Sequence, residues 1–372
     1  MNKFALVSVV LTACLSGCSE PQPKQVEEPK VMSIEVQGRW IVENDGRVMQ
    51  NPQTSGLTNV NGMLATISDA SAGSSQQRRI HLLDPATAML APKAPTMGMA
   101  SAVRRSCFSD YLSKEPDLEA LVADPREPGV FYTVTEDASR TGALSVRCQQ
   151  KYEETGSTDY PTLLVKITRQ DNGEAVMRDV RPLKFSLSLQ VGDFPNDGIE
   201  GMAMAPDGTL YLGLEKDANG QPRVFSVNVD ETFWENQDFA DVTEPGLSVP
   251  EFESGNHPIN GLEYYDGFLL AAARNDNELW VIDTNKKRAT QRILLHFTAP
   301  TGTAADCPAT EKMDNASIEG LAVIGETLWL INDPWKANYL KNVQCPTNRA
   351  KYEAMAPLLF SIPLNNKWFS GE

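Results

Sequence analysis

Acidic side chains recur at matching places in several segments of this sequence, and their type and spacing could do chemistry. The clearest segment, residues 198–217, reads GIEGMAMAPDGTLYLGLEKD. Glu200 precedes one apolar run, a Pro-Asp-Gly turn follows, and a second apolar run ends at Glu215. This pattern predicts a β-hairpin with a carboxylate at each open end. Carboxylates collected at such places could hold a hard cation or, with raised pKa values, keep protons.

Four other segments contain the same hairpin motif. The two acidic positions of the motif, here called the first and second positions, can therefore be followed along the chain. These segments are 55–69, 117–137, 259–276 and 317–333. Arg274 stands where the other copies carry an acid, and it could bind an anionic group of a substrate or form a salt bridge with Asp276. The first-position residues are Ser55, Glu119, Glu200, Asn260 and Glu319, and the second-position residues are Asp69, Glu136, Glu215, Arg274 and Asp333.

The repetition predicts the elements that must position these residues. Each hairpin is followed by a third β-rich run, and fourth strands fit at residues 180–189 and 292–297. Four antiparallel strands per unit, repeated along the chain, predict the blades of a single all-β propeller. Five repeats are visible, although six blades are possible.

One further segment is predicted to close the propeller ring. The last repeat ends too near residue 372 to supply its own outer strand. Residues 33–42, SIEVQGRWIV, alternate apolar and polar side chains and precede the first repeat without a partner. We therefore expect this N-terminal segment to become the missing strand and to remove the open sheet edges.

A propeller would bring the repeated positions together at one place. The first strand of every blade lines the central channel, so the first-position residues should converge at one mouth, with the second-position acids one layer outward. Crowded carboxylates repel one another, and Ca²⁺ would relieve this because it takes about six to eight oxygen ligands in a flexible geometry. Mg²⁺ is a second candidate. The alternative is that each glutamate accepts backbone N–H groups and no metal binds.

Two of the repeated motifs resemble motifs of a known superfamily. Asn260-Gly261-Leu262 with Asp266-Gly267, and the word IEGMAMAPDGTLYL, are similar to the blades of calcium-dependent propellers such as gluconolactonases, senescence marker protein, strictosidine synthase-like proteins and paraoxonases. The EG(L/M)A wording also resembles bacterial phytase-like esterase propellers. The resemblance covers residues 50–364, and most of these proteins have six blades. It implies a Ca²⁺ held by Glu119 or Glu200, by Asn260, and by Glu319 in place of an aspartate.

His257 is the candidate catalytic base, because it stands three residues before Asn260 and so near the predicted mouth. It could activate water for hydrolysis of a lactone, ester or phosphoester. His81 and His296 fall within predicted blade strands, where a structural role is expected. The second hypothesis is a non-catalytic propeller that binds a small-molecule or protein ligand and uses Ca²⁺ structurally, since this fold serves both roles.

Four cysteines occupy equivalent places in the second and fifth repeats. The equivalence favours the disulfides Cys107–Cys148 and Cys307–Cys345 in an oxidising compartment. A zinc site is the alternative, although the sequence offers no CxxC or nearby histidine for it. Cys107 and Cys307 stand 12 residues before Glu119 and Glu319, and Cys148 and Cys345 stand 12 residues after Glu136 and Asp333.

The N-terminal residues indicate export and a lipid anchor. Residues 1–17 combine Lys3 with an apolar stretch too short to span a bilayer. The ending Leu15-Ser16-Gly17-Cys18 resembles the lipobox of bacterial lipoproteins, which implies that Cys18 is lipidated and, with Ser19 after it, that the protein resides at the outer membrane. Residues 18–32 would form a flexible tether, and residues 33–372 the propeller domain.

The charge of the chain limits its partners. Its formal net charge of −16 argues against nucleic acid and anionic lipid and suits cations. We expect a monomer whose contact with the membrane is made through the lipid alone.

Overall fold

The computed structural model describes residues 32–92, 95–136, 145–152, 162–170, 172–186, 189, 191, 198–302 and 307–370. The predicted signal, the lipidation site Cys18 and the tether up to residue 31 lie outside these residues. Most of the described chain forms β-strands, and short helices occupy the connections. Of these helices, none combines the length and hydrophobicity needed to cross a bilayer.

The first strand of the described chain is β1 (Met32–Trp40). The strands after it form five antiparallel groups, which are the blades. Blade 1 contains β2 (Thr54–Val60), β3 (Met63–Ser68), β4 (His81–Asp84) and β5 (Met89–Leu90), and β6 (Gly98–Met99) follows it. Blade 2 contains β7 (Leu118–Ala123), β8 (Val130–Thr135), β9 (Leu163–Arg169) and β10 (Ala175–Lys184). Blade 3 contains β11 (Ile199–Met204), β12 (Thr209–Leu214) and β13 (Arg223–Asn228), and β14 (Ala240–Asp241) follows it. Blade 4 contains β15 (Ile259–Tyr265), β16 (Phe268–Ala273), β17 (Glu278–Asp283) and β18 (Gln291–Pro300), and β19 (Thr310–Lys312) follows it. Blade 5 contains β20 (Ile318–Ile324), β21 (Thr327–Asn332) and β22 (Leu358–Pro363).

The helices lie in the connections between these strands. They are α1 (Ser101–Arg104), α2 (Ser109–Ser113), α3 (Val146–Tyr152), α4 (Lys336–Tyr339), α5 (Arg349–Glu353) and α6 (Lys367–Ser370). Single 3₁₀ turns occur at Arg274–Asp276, Leu340–Asn342 and Pro346–Asn348.

The first strands of the blades form a closed ring. Strand β2 contacts β7, β7 contacts β11, β11 contacts β15, β15 contacts β20, and β20 returns to β2. The predicted all-β propeller is therefore confirmed, and the ring is complete with five blades.

The N-terminal strand closes the ring as predicted, and it also does more. Residues 38–40 of β1 pair antiparallel with residues 358–360 of β22, and so provide the outer strand of blade 5. Residues 32–37 pair in parallel with residues 293–298 of β18, the outer strand of blade 4. One strand thus ties two neighbouring blades together, a double role that the alternating pattern of residues 33–42 did not reveal.

The outer strands differ most from the sequence prediction. Strand β10 begins at Ala175 and ends at Lys184, whereas a strand over residues 180–189 was expected. Blade 3 has, among the described residues, only a bridge from Thr243 to Ser226 in place of a regular fourth strand. Pro245 and Pro250 follow this bridge, and a proline has no N–H group to continue the pairing.

The apolar core is divided among the junctions between blades. Each of the five buried clusters of the described chain combines side chains of two adjacent blades. Leu270 and Leu321 meet between blades 4 and 5, for example, and Val134 and Met202 between blades 2 and 3. Burying one such side chain contributes about 1.5–3 kcal/mol, so most of the stability depends on neighbouring blades staying in contact.

Both predicted disulfides are confirmed. Cys107 is joined to Cys148 and Cys307 to Cys345, with Cα atoms 5.7 and 5.8 Å apart. Cys107 lies between α1 and α2, and Cys148 lies in α3. The two bridges tie the long connections of blades 2 and 5, each of which carries residues that reach the channel mouth.

Candidate functional site

Neighbouring first strands approach one another most closely at the residue after the first acidic position. A Cβ atom on Gly56 would lie 2.1 Å from the backbone nitrogen of Leu121, and one on Gly320 would lie 2.5 Å from the carbonyl carbon of Gly56. The narrow axis of the ring therefore leaves little or no room for a side chain here, which explains the recurring Glu-Gly motif and the small Ala120 in blade 2. The five equivalent residues are Gly56, Ala120, Gly201, Gly261 and Gly320.

A β-bulge at the same place sets the direction of the first-position side chains. The pairing of β11 with β12 skips Glu200, that of β15 with β16 skips Asn260, and that of β20 with β21 skips Glu319. Blades 1 and 2 have longer irregularities that begin at Ser55 and Glu119. Because a bulge leaves its residue out of the ladder and re-aims its side chain, Glu200, Asn260 and Glu319 are turned away from the regular face of their strands, whereas Ser55 and Glu119 remain paired just before the irregularity.

The second-position residues are held by a repeated backbone hydrogen bond. In four blades the N–H group of the second-position acid donates to the carbonyl two residues before the first position. Each hairpin is thus paired up to its open end, and both acidic positions stay at the same mouth of the channel. The pairs are Asp69 with Gln53 at 3.0 Å, Glu136 with Asp117 at 3.0 Å, Glu215 with Gly198 at 2.9 Å and Asp333 with Ser317 at 2.8 Å.

The repeated positions meet around a cavity of about 720 Å³ at this mouth. All five second-position residues line it, together with Ser55, Glu119, Glu200 and Glu319, while Asn260 is fully buried. Arg274 and Lys341 are the basic residues of the described lining. The acidic lining residues are Asp69, Asp117, Glu119, Glu136, Glu200, Glu215, Asp314, Glu319 and Asp333.

Six of these acids form two compact groups. The first acidic cluster is Asp69, Asp117 and Glu119, and the second acidic cluster is Glu136, Glu200 and Glu215. Within each cluster, one oxygen of every residue lies within 4.8 Å of the others. Ligands of one Ca²⁺ lie about 2.3–2.6 Å from the ion, so two of them are at most about 5 Å apart, and both clusters have suitable spacing.

Asp117 is the member of these clusters that the sequence analysis missed. It stands two residues before Glu119, and alternate residues of a strand point to the same side. That alternation was the available signal, but no acid occupies the equivalent place in the other repeats.

Burial and mutual repulsion raise the pKa values of the carboxyl groups at the mouth. Burial, followed by the charges of Glu200 and Asp117, raises the pKa of Glu119 well above its usual range. Burial, with the charges of Glu200 and Glu215, raises the pKa of Glu136 to about 9. At neutral pH Glu136 therefore holds a proton unless a cation takes its place.

The side-chain amide of Asn260 is buried beside the second acidic cluster. The residue is 0% exposed, and its Nδ2 atom lies 3.5 Å from Oε2 of Glu200. Its Oδ1 atom has no hydrogen-bond donor in the described chain. Leaving such an atom unsatisfied costs about 1–3 kcal/mol, and amide and carboxylate oxygens are the ligands that Ca²⁺ prefers. The donor set of Glu136, Glu200, Glu215 and Asn260 therefore fits calcium.

Arg274 is part of an ion pair across the junction of blades 4 and 5. Its guanidinium donates to Glu319 and lies 3.4 Å from Oε1 of Glu215. The expected salt bridge between Arg274 and Asp276 is therefore wrong: Arg274 pairs with Glu319 and Glu215, and Asp276 accepts a hydrogen bond from His257. Burial raises the pKa of Glu319, Arg274 lowers it, and the net result is about 8.

The residues expected to form one calcium site are consequently spread around the mouth. Glu200 and Asn260 adjoin each other, Glu119 lies in the first acidic cluster, and Glu319 is bound by Arg274.

His257 has both ring nitrogens engaged. Nδ1 lies 2.9 Å from Oδ1 of Asp276, Nε2 lies 2.9 Å from the carbonyl oxygen of Ser254, and the ring stacks on Phe252 with centroids 3.6 Å apart. The side chain is not among those that line the cavity. This arrangement fixes a loop at the rim and leaves no ring nitrogen directed to the cavity as a base.

The connection from β21 to β22 adds a rim that the sequence analysis did not identify. Trp335, at the edge of the cavity, is 57% exposed, and Asn338, Lys341 and Asn342 lie beside it in the lining. Glu311 fixes this connection, since Oε2 accepts the N–H groups of Gln344 and Cys345 at 2.9 and 2.6 Å. The exposed indole offers a flat apolar surface at the entrance.

No protein-family model matches this sequence, and no curated protein matches it. Among solved structures, the PQQ-bound aldose sugar dehydrogenase of Streptomyces coelicolor is similar at 11% identity and a TM-score of 0.38, over 87% of this chain and 96% of that one. The glutaminyl cyclase of Myxococcus xanthus gives 12% and 0.41, over 80% and 92% of the two chains. The major allergen Mala s 1 of Malassezia sympodialis gives 12% and 0.42, over 86% and 94%. At these values we carry over neither ligand nor activity to this chain.

Proposed function

We propose that this propeller is a calcium-dependent hydrolase that acts on an uncharged ester or lactone at the channel mouth. The observation that carries the proposal is the second acidic cluster together with the buried amide of Asn260, whose Nδ2 atom lies 3.5 Å from Glu200 and whose Oδ1 atom has no donor in the described chain. Glu136, Glu200, Glu215 and Asn260 would hold the ion. The resemblance of the blade motifs to those of calcium-dependent propellers supports the same assignment.

The residues of the chain have separate roles in this proposal. Calcium, when bound, would supply Lewis-acid polarisation of the substrate carbonyl. Glu119 lies close enough to the second cluster for the charge of Glu200 to raise its pKa, and in its ionised form this carboxylate would accept a proton from water. Arg274 compensates the charge of Glu319 and so keeps that wall of the cavity from repelling the substrate.

The charge and size of the cavity favour an uncharged substrate. Nine acids and two bases line it in the described chain, so an anion such as a phosphoester would meet a strongly negative wall. A volume of about 720 Å³ is within the usual range for small-molecule sites. Trp335 would pack against the apolar part of the substrate as it enters.

A second candidate function is a ligand-binding propeller with structural calcium. The hydrogen bonds of both ring nitrogens of His257 favour it, because the imidazole expected to act as base is already engaged. This candidate needs the same ion and the same cavity, but no proton acceptor.

We further propose that the protein is a monomeric lipoprotein of the outer membrane, anchored through Cys18. The two disulfides support export, since such bonds form in oxidising compartments. Cys18→Ala is expected to release the protein from the membrane fraction. Persistent membrane association of this variant would rule out the anchor.

Calcium binding is tested by comparing Asn260→Leu with the wild type. At a hundredfold excess over Kd, calcium should stabilise the wild type by about 2.7 kcal/mol, which is roughly 2–4 °C in Tm for a domain of this size. Asn260→Leu should weaken binding in a calorimetric titration at least tenfold. Asn59→Leu is the matched control, because Asn59 lies in the first strand of blade 1 and donates to Val323 instead of facing the clusters. Equal calcium affinity in all three proteins would reject the site.

Activity is tested separately with chromogenic esters and lactones. The hydrolase predicts turnover that a chelator abolishes and calcium restores. Calcium binding with no turnover over the whole substrate panel would leave the ligand-binding propeller as the function.

A further inference from the structure

The chain segment after β13 is divided between two blades, and the outer edge of blade 3 is left largely open. Strand β14 pairs with the end of β10 in blade 2. Thr243 then reaches blade 3, where its N–H and C=O groups both pair with Ser226 of β13. Pro245 follows and has no N–H group with which to continue the pairing. Within the described ranges, the outer edge of β13 is therefore paired at Ser226 alone.

Val224 presents its backbone N–H and C=O groups to this open edge. Ser226 directs both of its backbone groups outward to Thr243, and alternate residues of an antiparallel strand direct theirs to the same side. Those of Val224, two residues earlier, face outward too, and no described residue hydrogen-bonds to them there. The residue is nevertheless 3% exposed. Because buried backbone groups are nearly always paired in native proteins, this pair is suited to a partner from outside the described chain.

A cavity of about 480 Å³ lies beside Val224 and is here called the edge groove. One wall is the start of β13, and the other is formed by residues 247–252, which do not pair with β13. Gln221 fixes the second wall, since its side-chain amide forms hydrogen bonds of 2.9 Å with both backbone groups of Phe252. The edge groove shares no described lining residue with the cavity at the channel mouth. It is therefore a separate place on the molecule, with an open strand edge in its wall.

The charges of the edge groove favour a cationic partner. Arg223 is the base of its described lining, and it is already paired with Asp217 at 3.1 Å and with Glu244 at 2.8 Å. The third acid, Glu251, is exposed and has no ion pair with another described residue. Three acids and one base leave the groove negative, and a positive side chain beside Glu251 would complement it.

We infer that the edge groove binds an extended segment of another polypeptide, which adds to β13 as the fourth strand of blade 3. The backbone of that segment would accept the N–H group of Val224 and donate to its C=O group, as in other cases of strand addition. A lysine or arginine of the segment would face Glu251. Apolar side chains beside it would pack against Leu247 and Val249, which line the same groove. The inference does not depend on the proposed hydrolase, because it concerns other residues and another surface.

Two blocked peptides of opposite charge test the partner. With the protein labelled with ¹⁵N-valine, acetyl-Thr-Val-Lys-Val-Thr-amide should shift the amide signals of Val224 and Val249. The counterpart with glutamate in place of lysine should bind at least about tenfold more weakly. Glu251→Lys should reverse this preference. Glu326→Lys is the matched control, because Glu326 is an equally exposed acid in the β20–β21 turn of blade 5, and this variant should keep the wild-type preference.

Hydrogen exchange at Val224 tests the backbone pairing. In the free protein its N–H group should exchange faster than that of Phe225, whose backbone groups face Leu212 of β12, and saturation with the lysine peptide should slow it at least about tenfold. If the N–H group of Val224 is as protected as that of Phe225 before any peptide is added, the edge is already paired and the inference is wrong.

Three other results would also overturn the inference. One is the absence of any shift at Val224 with either peptide up to its solubility limit. Another is an unchanged preference for lysine in Glu251→Lys. The third is equal binding of acetyl-lysine-amide, since a groove that holds this single residue as tightly as the peptide recognises a cation and not a strand. None of these results affects calcium binding at Asn260, so the proposed function is tested separately.

Discussion

The surroundings of a carboxyl group decide whether it is protonated or ionised in this protein. Burial alone would raise the pKa of Asp124, but hydrogen bonds from Arg126 outweigh this effect and lower it. Glu136 is buried in a similar way, yet its nearest charged neighbours are other acids, and its pKa rises to about 9. The same chemical group is therefore a fixed anion on one face of the propeller and a proton or cation binder at the channel mouth.

The raised pKa values make the metal-free protein more stable in acid than in base. The pKa values of Glu136 and Glu319 are about 9 and about 8 in the folded chain, and an unfolded glutamate titrates near 4.5. Between these limits the native state holds more protons than the unfolded state, so stability falls as the pH rises. With chelator present, we expect Tm to be several degrees higher at pH 5.5 than at pH 9.

Calorimetry at the two pH values, with and without calcium, measures this dependence. Calcium should reduce the difference, because the ion replaces the protons of the acidic clusters. Glu136→Gln should also reduce it, since that side chain cannot ionise. A metal-free Tm that stays level or rises from pH 5.5 to pH 9 would contradict the assignment.

The positions of the mouth residues could be predicted from the sequence because the hairpins repeat. Counting from each turn located Glu200, Glu215 and their equivalents without any structure. The count could not show that Arg274 pairs with Glu319 or that Asp117 joins a cluster, because these contacts cross from one blade to the next. His257 was chosen for its distance along the chain from Asn260, and that distance does not report where its ring nitrogens point.

At the scale of the element, the hairpin is shaped by its neighbour as much as by its own turn. A bulge at the first position would be unnecessary in an isolated hairpin. Here it allows the backbone to pass the next first strand at glycine while the adjacent acidic side chain is directed away from the ladder. In the Glu-Gly motif, the glycine therefore allows the close packing of neighbouring first strands, and the glutamate before it lines the channel mouth.

Gly56→Ala should be much more destabilising than Gly62→Ala. Both glycines have a positive φ, 71° and 86°, which costs an alanine about 1–2 kcal/mol. A Cβ on Gly62 would meet nothing within 4 Å, whereas one on Gly56 would lie 2.1 Å from the backbone of Leu121. We expect a loss of about 3 kcal/mol or more for Gly56→Ala and about 1 kcal/mol for Gly62→Ala.

Urea denaturation of the two variants and the wild type measures the difference. The comparison isolates the close approach, because the cost of the backbone conformation is common to both. Equal losses would show that the first strands can move apart at Gly56.

The hairpin strands could be predicted within a residue or two, since their alternation and turns are local signals. The outer strands could not. β10 ends at Lys184, blade 3 lacks a regular fourth strand in the described chain, and β1 is shared between two blades. An outer strand has one neighbour in its own blade, so its limits depend on what the adjacent blade offers.

At the scale of the whole molecule, stability depends on an unbroken ring. The buried clusters lie between blades, so every blade needs two neighbours to cover its faces. Strand β1 holds blades 4 and 5 together from outside, with Trp40 packed against Tyr352. Loss of this strand would uncover the edges of β18 and β22 together.

A chain that starts at residue 44 should therefore be less stable and prone to aggregate. The freed edges of β18 and β22 offer unpaired backbone groups to other chains. We expect a Tm several degrees lower than that of a chain starting at residue 32, which keeps β1. Light scattering and thermal unfolding of the two chains give the measurement. If both stay monodisperse and melt together, β1 is dispensable to the ring.

Strand β1 also has a consequence for how the protein is made. It is synthesised before any blade, yet residues 38–40 pair with residues 358–360, roughly three hundred positions later. Contacts so distant in sequence slow folding, because the intervening chain must first be brought together. Residues 32–37 can find their partner as soon as β18 has formed, but residues 38–40 must wait for β22. The two halves of β1 therefore record two successive stages in the completion of the ring.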